Sequence, residues 1–138
     1  RNGLTFMPGF HDLFNRIQKK FKLGLVTASP RHNIDWLCDL IDLDSFFINI
    51  ISGTETKRNK PYPDPYLAMM KQLDVGADNS IIIEDSIHGI RSGLAAGAHV
   101  IAKTGSVSVE DLAIAHRIVS HLDEITNNML EELLQEKI

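Results

Sequence analysis

Apolar positions along the chain follow two alternating rhythms. Phe10, Leu13, Phe14 and Ile17 recur at three- and four-residue intervals, which predicts a helix over 10–20. Leu23 to Thr27 is a compact apolar run and reads as a strand. Ser29-Pro30 then gives an N-cap followed by a first-turn proline, opening a helix to about Ile41. Phe46 to Ile51 reads as the next strand, and Gly53 to Pro63 as a polar loop. Asp64-Pro65 repeats the cap-plus-proline signal and opens a helix through Leu73. Ile81 to Ile83 form a continuous apolar strand ending at Glu84-Asp85, followed by a helix rich in small residues over Ile87 to Ala96. Ala98 to Ala102 is another short strand, residues 109–115 are helical, Arg117 to Ser120 is a short strand, and Leu122 to Lys137 is a final helix.

Strand and helix patterns alternating at this spacing predict an α/β domain built on a parallel sheet. Strands covered on both faces are continuously apolar, as Ile81–Ile83 is. The 138 residues suit one compact domain, with no repeat, linker or low-complexity tract to divide it. A net charge of −4 argues against a broad nucleic-acid-binding face. Lys19, Lys20 and Lys22 read instead as a solvated helix end that suits the helix dipole. There is no run of 18 apolar residues to span a membrane, and no signal peptide. The chain opens on Arg1, like the middle of a longer protein. Its single cysteine, Cys38, fits a reducing cytoplasm and, beside Trp36, Leu37 and Leu40, reads as a small buried hydrophobe rather than a nucleophile.

Ligands of open parallel sheets sit beyond the carboxyl ends of the strands, and three such places carry polar residues. Thr27-Ala28-Ser29 follows the first strand. Its hydroxyls, its backbone N–H groups and the next helix N-terminus suit a phosphate oxygen, although Ser29 could serve only as a helix cap. Lys60 lies in Asn59-Lys60-Pro61-Tyr62-Pro63-Asp64-Pro65, where prolines restrict the backbone and can fix the direction of an ammonium. The alternative is an ordinary exposed loop lysine like its neighbours Lys57 and Arg58. Glu84-Asp85 places adjacent carboxylates at the end of a buried strand, which is costly unless a cation or hydrogen bonds compensate. Carboxylate oxygens suit Mg²⁺, which also takes water and substrate phosphate. Asp85 could otherwise cap the next helix.

Gly89, Gly93 and Gly97 recur every fourth residue without the Gly-x-Gly turn of a dinucleotide fingerprint, so they suggest close helix-to-sheet packing. The six histidines show no paired metal-ligand spacing, and His88 and His99 read as structural. No serine nucleophile elbow or cysteine–histidine pairing is evident.

In order, the chain reads Leu-Gly-Leu-Val-Thr-Ala-Ser, then Asn-Lys-Pro-Tyr-Pro-Asp-Pro-Tyr, then Ile-Ile-Ile-Glu-Asp-Ser-Ile-His-Gly-Ile-Arg-Ser-Gly-Leu-Ala-Ala-Gly-Ala. This series resembles motifs two, three and four of the haloacid dehalogenase (HAD)-like hydrolase superfamily, in the branch of β-phosphoglucomutase and phosphoglycolate phosphatase. Met7-Pro8-Gly9 resembles the segment where that branch returns from its helical cap to its core. The resemblance spans residues 7–125. It implies a Rossmann-like three-layer α/β core and a Mg²⁺-dependent phosphatase or phosphomutase. The substrate would be a small phosphorylated metabolite, handled through a phospho-aspartyl intermediate. By the same resemblance Thr27 would bind the transferring phosphoryl group, with help from the Ala28 amide and Ser29. Lys60 would contact phosphoryl oxygens and the nucleophilic carboxylate. Glu84 and Asp85 would hold the metal, with Ser86 orienting them.

The chain departs from the family pattern in two respects. The Asp-x-Asp-Gly-Thr segment of the first strand, with its nucleophile and its acid/base, is absent, and so is the helical cap. Asp42-Leu43-Asp44 has the spacing but follows a helix and lacks the glycine. In the family the missing strand lies centrally, between the strands carrying motifs two and four. Residues 1–138 are therefore expected to be a partial core domain, inactive alone and completed by an N-terminal segment of the same protein. The rival expectations are a non-catalytic phosphate- and metal-binding module, and a receiver-like domain, which the Lys-Pro-x-Pro-Asp segment disfavours.

Overall fold

The computed structural model describes residues 8–105 and 108–136. Five strands and six helices alternate: α1 (Phe10–Ile17), β1 (Gly24–Val26), α2 (Arg31–Ile41), β2 (Asn49–Ile51), α3 (Asp64–Leu73), β3 (Ile81–Glu84), α4 (Ile87–Ala95), β4 (His99–Lys103), α5 (Val109–Leu112), β5 (Arg117–Val119) and α6 (Asn127–Gln135). Every strand pair is parallel, as the alternation predicts. Met7 and Lys137 lie outside the described residues. No helix among the described residues is long and apolar enough to cross a membrane.

Helices cover both faces of the sheet. Val100 and Ala102 of β4 point to one side, where they join Tyr66 and Met70 of α3, Ile90 of α4 and Leu112 of α5. Ile101, between them, points to the other side and packs with Leu13 and Ile17 of α1 and Leu130 and Leu133 of α6. This side-to-side alternation explains why the strands read as unbroken apolar runs. Three layers result, and the α/β class holds.

The sheet itself is divided. β1 pairs with β2, with Leu25 opposite Ile50, and β3–β4–β5 form a second sheet, with Ile82 opposite Val100 and Ala102 opposite Ile118. Among the described residues no strand joins β1 to β3. The division falls where the family resemblance puts the absent strand. Ile83, which a completed layer would cover, is 36% exposed.

Several boundaries move for local reasons. Ser29 does not cap α2: Pro30 holds the N-cap position, and the Ser29 amide donates to Thr27 Oγ1 at 3.1 Å. Nor does Asp85 cap α4, a role taken by Ser86, whose Oγ accepts from the Gly89 amide at 3.1 Å. Asp64 is the first residue of α3 rather than its cap and pairs with Arg58 at 3.1 Å. Phe46 to Ile51 shortens to β2, because a single 3₁₀ turn, Leu43–Ser45, precedes it. The expected final helix splits into a 3₁₀ turn, Leu122–Glu124, and α6, because Thr126 is extended and caps the Met129 amide. Of the recurring glycines, Gly93 does face the sheet, where a Cβ would lie 2.9 Å from Val100. Gly97 has a different reason: its φ of +85° ends α4 in the left-handed conformation.

Candidate active site

Three chain segments end on one rim. β1 delivers Thr27 and Ala28, the 53–63 loop delivers Lys60, and β3 delivers Glu84 and Asp85. All five residues line one groove of about 1000 Å³ between the two sheets. Ser29, the remaining predicted site residue, does not line it.

Lys60 is the hub. Its Nζ donates to the Val26 carbonyl at 3.1 Å and to Glu84 Oε2 at 2.5 Å, tying the end of β1 to the end of β3. The side chains of Lys60 and Glu84 are 12% and 7% exposed, so this is a buried pair. Lys57 and Arg58, by contrast, are exposed. The loop that aims Lys60 is held at two points. Asn59 Nδ2 donates to the Gly53 carbonyl at 2.9 Å, and Ser92 Oγ of α4 donates to the Tyr62 carbonyl at 2.6 Å. Gly53 also locks the loop against the first turn: its amide donates to the Ser29 carbonyl at 2.7 Å, and a Cβ there would lie 2.1 Å from the Ala28 oxygen.

Glu84 is compensated on every side. Besides Lys60, it accepts a hydrogen bond from the Tyr66 hydroxyl, and Ser86 Oγ approaches Oε1 at 3.3 Å. Gly89 makes room for the carboxylate, since a Cβ at that position would lie 2.0 Å from Oε1. Burial, followed by the Glu84 charge and hydrogen bond, pushes the Tyr66 phenol well above its usual range, so Tyr66 is a permanent donor. Asp85, one residue on, is exposed and opens to the groove.

Glu84 and Asp85 are the only carboxylates lining the groove among the described residues. Asp42 instead ends α2 with a φ of +52°, and Asp44 lines a separate pocket beside β2, so the Asp-x-Asp spacing there is unrelated to the rim. No group of three or more histidine, cysteine, aspartate or glutamate residues that could hold a metal occurs among the described residues. The donor set at the rim is therefore one exposed carboxylate, Asp85, beside one already paired with Lys60 and Tyr66. That set suits a hard cation completed by water and substrate oxygens, and it is too small for an all-protein cage.

Cys38 is partly exposed rather than buried, and burial followed by the charge of Asp44 raises its thiol pKa, which argues against a nucleophile. His99, read from the sequence as structural, is buried with Nε2 3.2 Å from the Asp78 carbonyl. Lys22 does not dress its own helix: Nζ donates to the Leu73 carbonyl at the end of α3, at 2.8 Å. Sequence reasoning missed the Val26 carbonyl and the part played by Tyr66. The one available signal was a tyrosine six residues after Lys60 on an otherwise apolar helix face.

The described core is parallel and three-layered, with a hydroxyl, a buried ammonium and two carboxylates gathered on its carboxyl rim. The family model for haloacid dehalogenase-like hydrolases matches residues 1–103, and the chain belongs to that family. It is 30% identical over 131 residues to hexitol phosphatase A of Escherichia coli, a match covering 90% of this chain and 57% of that protein. The fold superposes on a HAD hydrolase, family IA, variant 3, from Entamoeba histolytica with a TM-score of 0.86 and 29% identity, covering 94% of this chain and 61% of that one. A putative β-phosphoglucomutase from Thermotoga maritima gives a TM-score of 0.78 at 26% identity, covering 90% and 59%. The chain spans about half the length of the curated relatives it matches.

Proposed function

We propose that residues 1–138 form a partial core domain of a phosphoryl-transfer enzyme, most simply a phosphatase of small phosphorylated metabolites. The observation that carries this reading is the Lys60 bridge. A buried ammonium, 3.1 Å from the end of β1 and 2.5 Å from the end of β3, is the charge that a phosphate arriving between those strands requires. Thr27 Oγ1 and the Ala28 amide orient phosphoryl oxygens, and the N-terminus of α2 adds its dipole. Tyr66 and Ser86 hold Glu84 so that Lys60 keeps its position. Asp85 is the main ligand for a Mg²⁺ ion, with Glu84 beside it. When bound, that ion supplies neutralisation of the phosphate charge. The sugar-phosphate and hexitol-phosphate relatives support a small metabolite as substrate, and a single partly exposed cysteine suits a cytoplasmic setting.

Among the described residues the groove's carboxylates are Glu84, committed to Lys60 and Tyr66, and Asp85, assigned here to the metal, which leaves none to attack phosphorus. The nucleophilic aspartate accordingly belongs to an N-terminal segment of the longer protein. That same shortage of carboxylates favours a second reading, a binding module that holds phosphate without chemistry. In the longer protein, Lys60→Ala and Asp85→Ala should each cut turnover of a phosphorylated sugar about 10²-fold or more. Near-normal turnover in either variant refutes the assignment, and phosphate binding without turnover in the unaltered protein favours the module.

A further inference from the structure

The turn that carries Thr27 and Ala28 is held from outside the groove. Thr27 Oγ1 accepts from the Ser29 amide at 3.1 Å, which leaves its own hydroxyl proton to be donated. The carbonyl and amide of one trans peptide plane point in opposite directions. The Ala28 carbonyl lies against Gly53, so the Ser29 amide is aimed away from Gly53 and back to Thr27. The next carbonyl, that of Ser29, accepts from the Gly53 amide at 2.7 Å. Gly53 therefore sets the orientation of the turn. Its own carbonyl accepts from Nδ2 of Asn59, the residue before Lys60, at 2.9 Å. One glycine thus borders both phosphate contacts, the Thr27-Ala28 turn and the Lys60 ammonium.

Gly53 has no side chain to hold it, so its neighbours must. Ser52 is 1% exposed, and it donates to Glu55 Oε1 from its hydroxyl at 2.9 Å and from its amide at 3.3 Å. The Glu55 amide donates back to the Ser52 carbonyl at 3.2 Å. The same Oε1 accepts from Arg31 Nη2, which also donates to the Ile50 carbonyl at 2.8 Å. The Arg31 amide donates to Thr54 Oγ1 at 3.3 Å. One carboxylate thus joins the end of β2, the 52–55 turn and the first turn of α2. Burial would raise the Glu55 pKa, but the hydrogen bonds from Ser52 and Arg31 outweigh it and lower the value, so the carboxylate stays ionised. The Arg31 and Glu55 side chains are 39% and 31% exposed, and an ion pair so open to water adds little stability by itself. Glu55 does not line the groove, so any part it plays there is indirect.

We propose that Glu55 is a positioning residue of the phosphate site. By fixing Ser52 and Arg31 it clamps Gly53 on the Ser29 carbonyl, and the clamp holds Thr27 Oγ1 and the Ala28 amide at the place where phosphoryl oxygens meet Lys60. The inference rests on the phosphoryl-transfer reading and adds to it a residue outside the groove.

The test uses the longer protein, with p-nitrophenyl phosphate as substrate and inorganic phosphate as ligand. Turnover is measured where urea titration shows each variant fully folded, so lost stability alone cannot lower it. Glu55→Ala should reduce kcat about tenfold and move KM by less than about twofold, the pattern of a group that acts by orienting the reacting parts. Glu55→Gln keeps an oxygen for Ser52 and should recover at least about threefold of that loss. Glu55→Ala in a Thr27→Ala background should cost less than about threefold, because its effect runs through the same turn. In the ¹⁵N-labelled protein the Ala28 amide should shift on adding phosphate, with a midpoint about threefold higher in Glu55→Ala. A kcat within about twofold of the unaltered value in Glu55→Ala, fully additive losses with Thr27→Ala, or an unmoved phosphate midpoint would each overturn the proposal. An unaltered protein that shifts at Ala28 yet turns nothing over would end the enzyme reading, while a raised midpoint in Glu55→Ala would still support the positioning role. No shift at Ala28 in the unaltered protein would overturn both.

Discussion

Replacing Lys60 by methionine isolates the buried ion pair at the rim. The change keeps an unbranched side chain out to Cε, with sulfur in place of Cδ, and removes the ammonium. Glu84 then loses its cationic partner at a site where its side chain is 7% exposed. Breaking one partner out of a buried pair costs about 3–5 kcal/mol, because the remaining charge is left uncompensated. Tyr66 and Ser86 still donate to the carboxylate, which places the expected loss near the lower end, about 3 kcal/mol. Adding Glu84→Gln removes the stranded charge and should recover about 2 kcal/mol of that loss. Urea unfolding of the 138-residue chain, followed by circular dichroism with slopes compared across variants, gives both numbers. A Lys60→Met loss below about 1 kcal/mol, or a double variant no more stable than the single one, would refute the claim that the bridge is a coupled buried pair.

Other consequences follow from the same geometry. Gly89→Ala places a methyl group 2.0 Å from Glu84 Oε1, so the carboxylate must leave Lys60; a loss of about 2–3 kcal/mol is expected in the same urea assay, and Gly89→Ala in the Glu84→Ala background should cost less than about 1. His116 Nδ1 accepts from the Val100 amide at 2.9 Å, and burial, followed by the charge of His99, lowers its pKa below the ordinary 6.5. The unfolded chain therefore binds a proton near pH 6.5 that the folded one resists, so stability is complete above that value and falls as the pH drops through it toward the folded pKa. The urea midpoint should decline from pH 7.5 to 5.5, and His116→Gln should flatten the decline; an unchanged slope would remove His116 as its cause. In the isolated chain, Mg²⁺-dependent hydrolysis of p-nitrophenyl phosphate should be absent, and measurable turnover would contradict the assignment of the nucleophile to another segment.

Much of the fold was legible because strand burial leaves a simple trace. Ile81–Ile83 and the run around Val100 are unbroken apolar stretches, and each became a strand covered on both faces or, at Ile83, left open where its neighbour is missing. Helix starts were read less well. Ser29, Asp64 and Asp85 have good capping side chains, yet Thr27, Arg58 and Ser86 changed their roles through contacts that no local pattern encodes. At the site, strand-end position placed Thr27, Lys60, Glu84 and Asp85 on one rim. The partners of Glu84 were not legible, because Tyr66 arrives from a helix whose orientation depends on packing against two strands. Gly89 appeared only as one member of a repeating series, and its contact with Glu84 became visible with the chain folded.

The central claim is that hydroxyl, ammonium and carboxylate meet around one phosphate. A crystal structure of the longer protein with Mg²⁺ and a phosphate analogue measures this directly. The anion should lie within hydrogen-bond reach of Thr27 Oγ1 and Lys60 Nζ, about 2.7–3.2 Å, with the ion on Asp85. An anion bound away from Lys60, or an ion on other residues, would contradict the account.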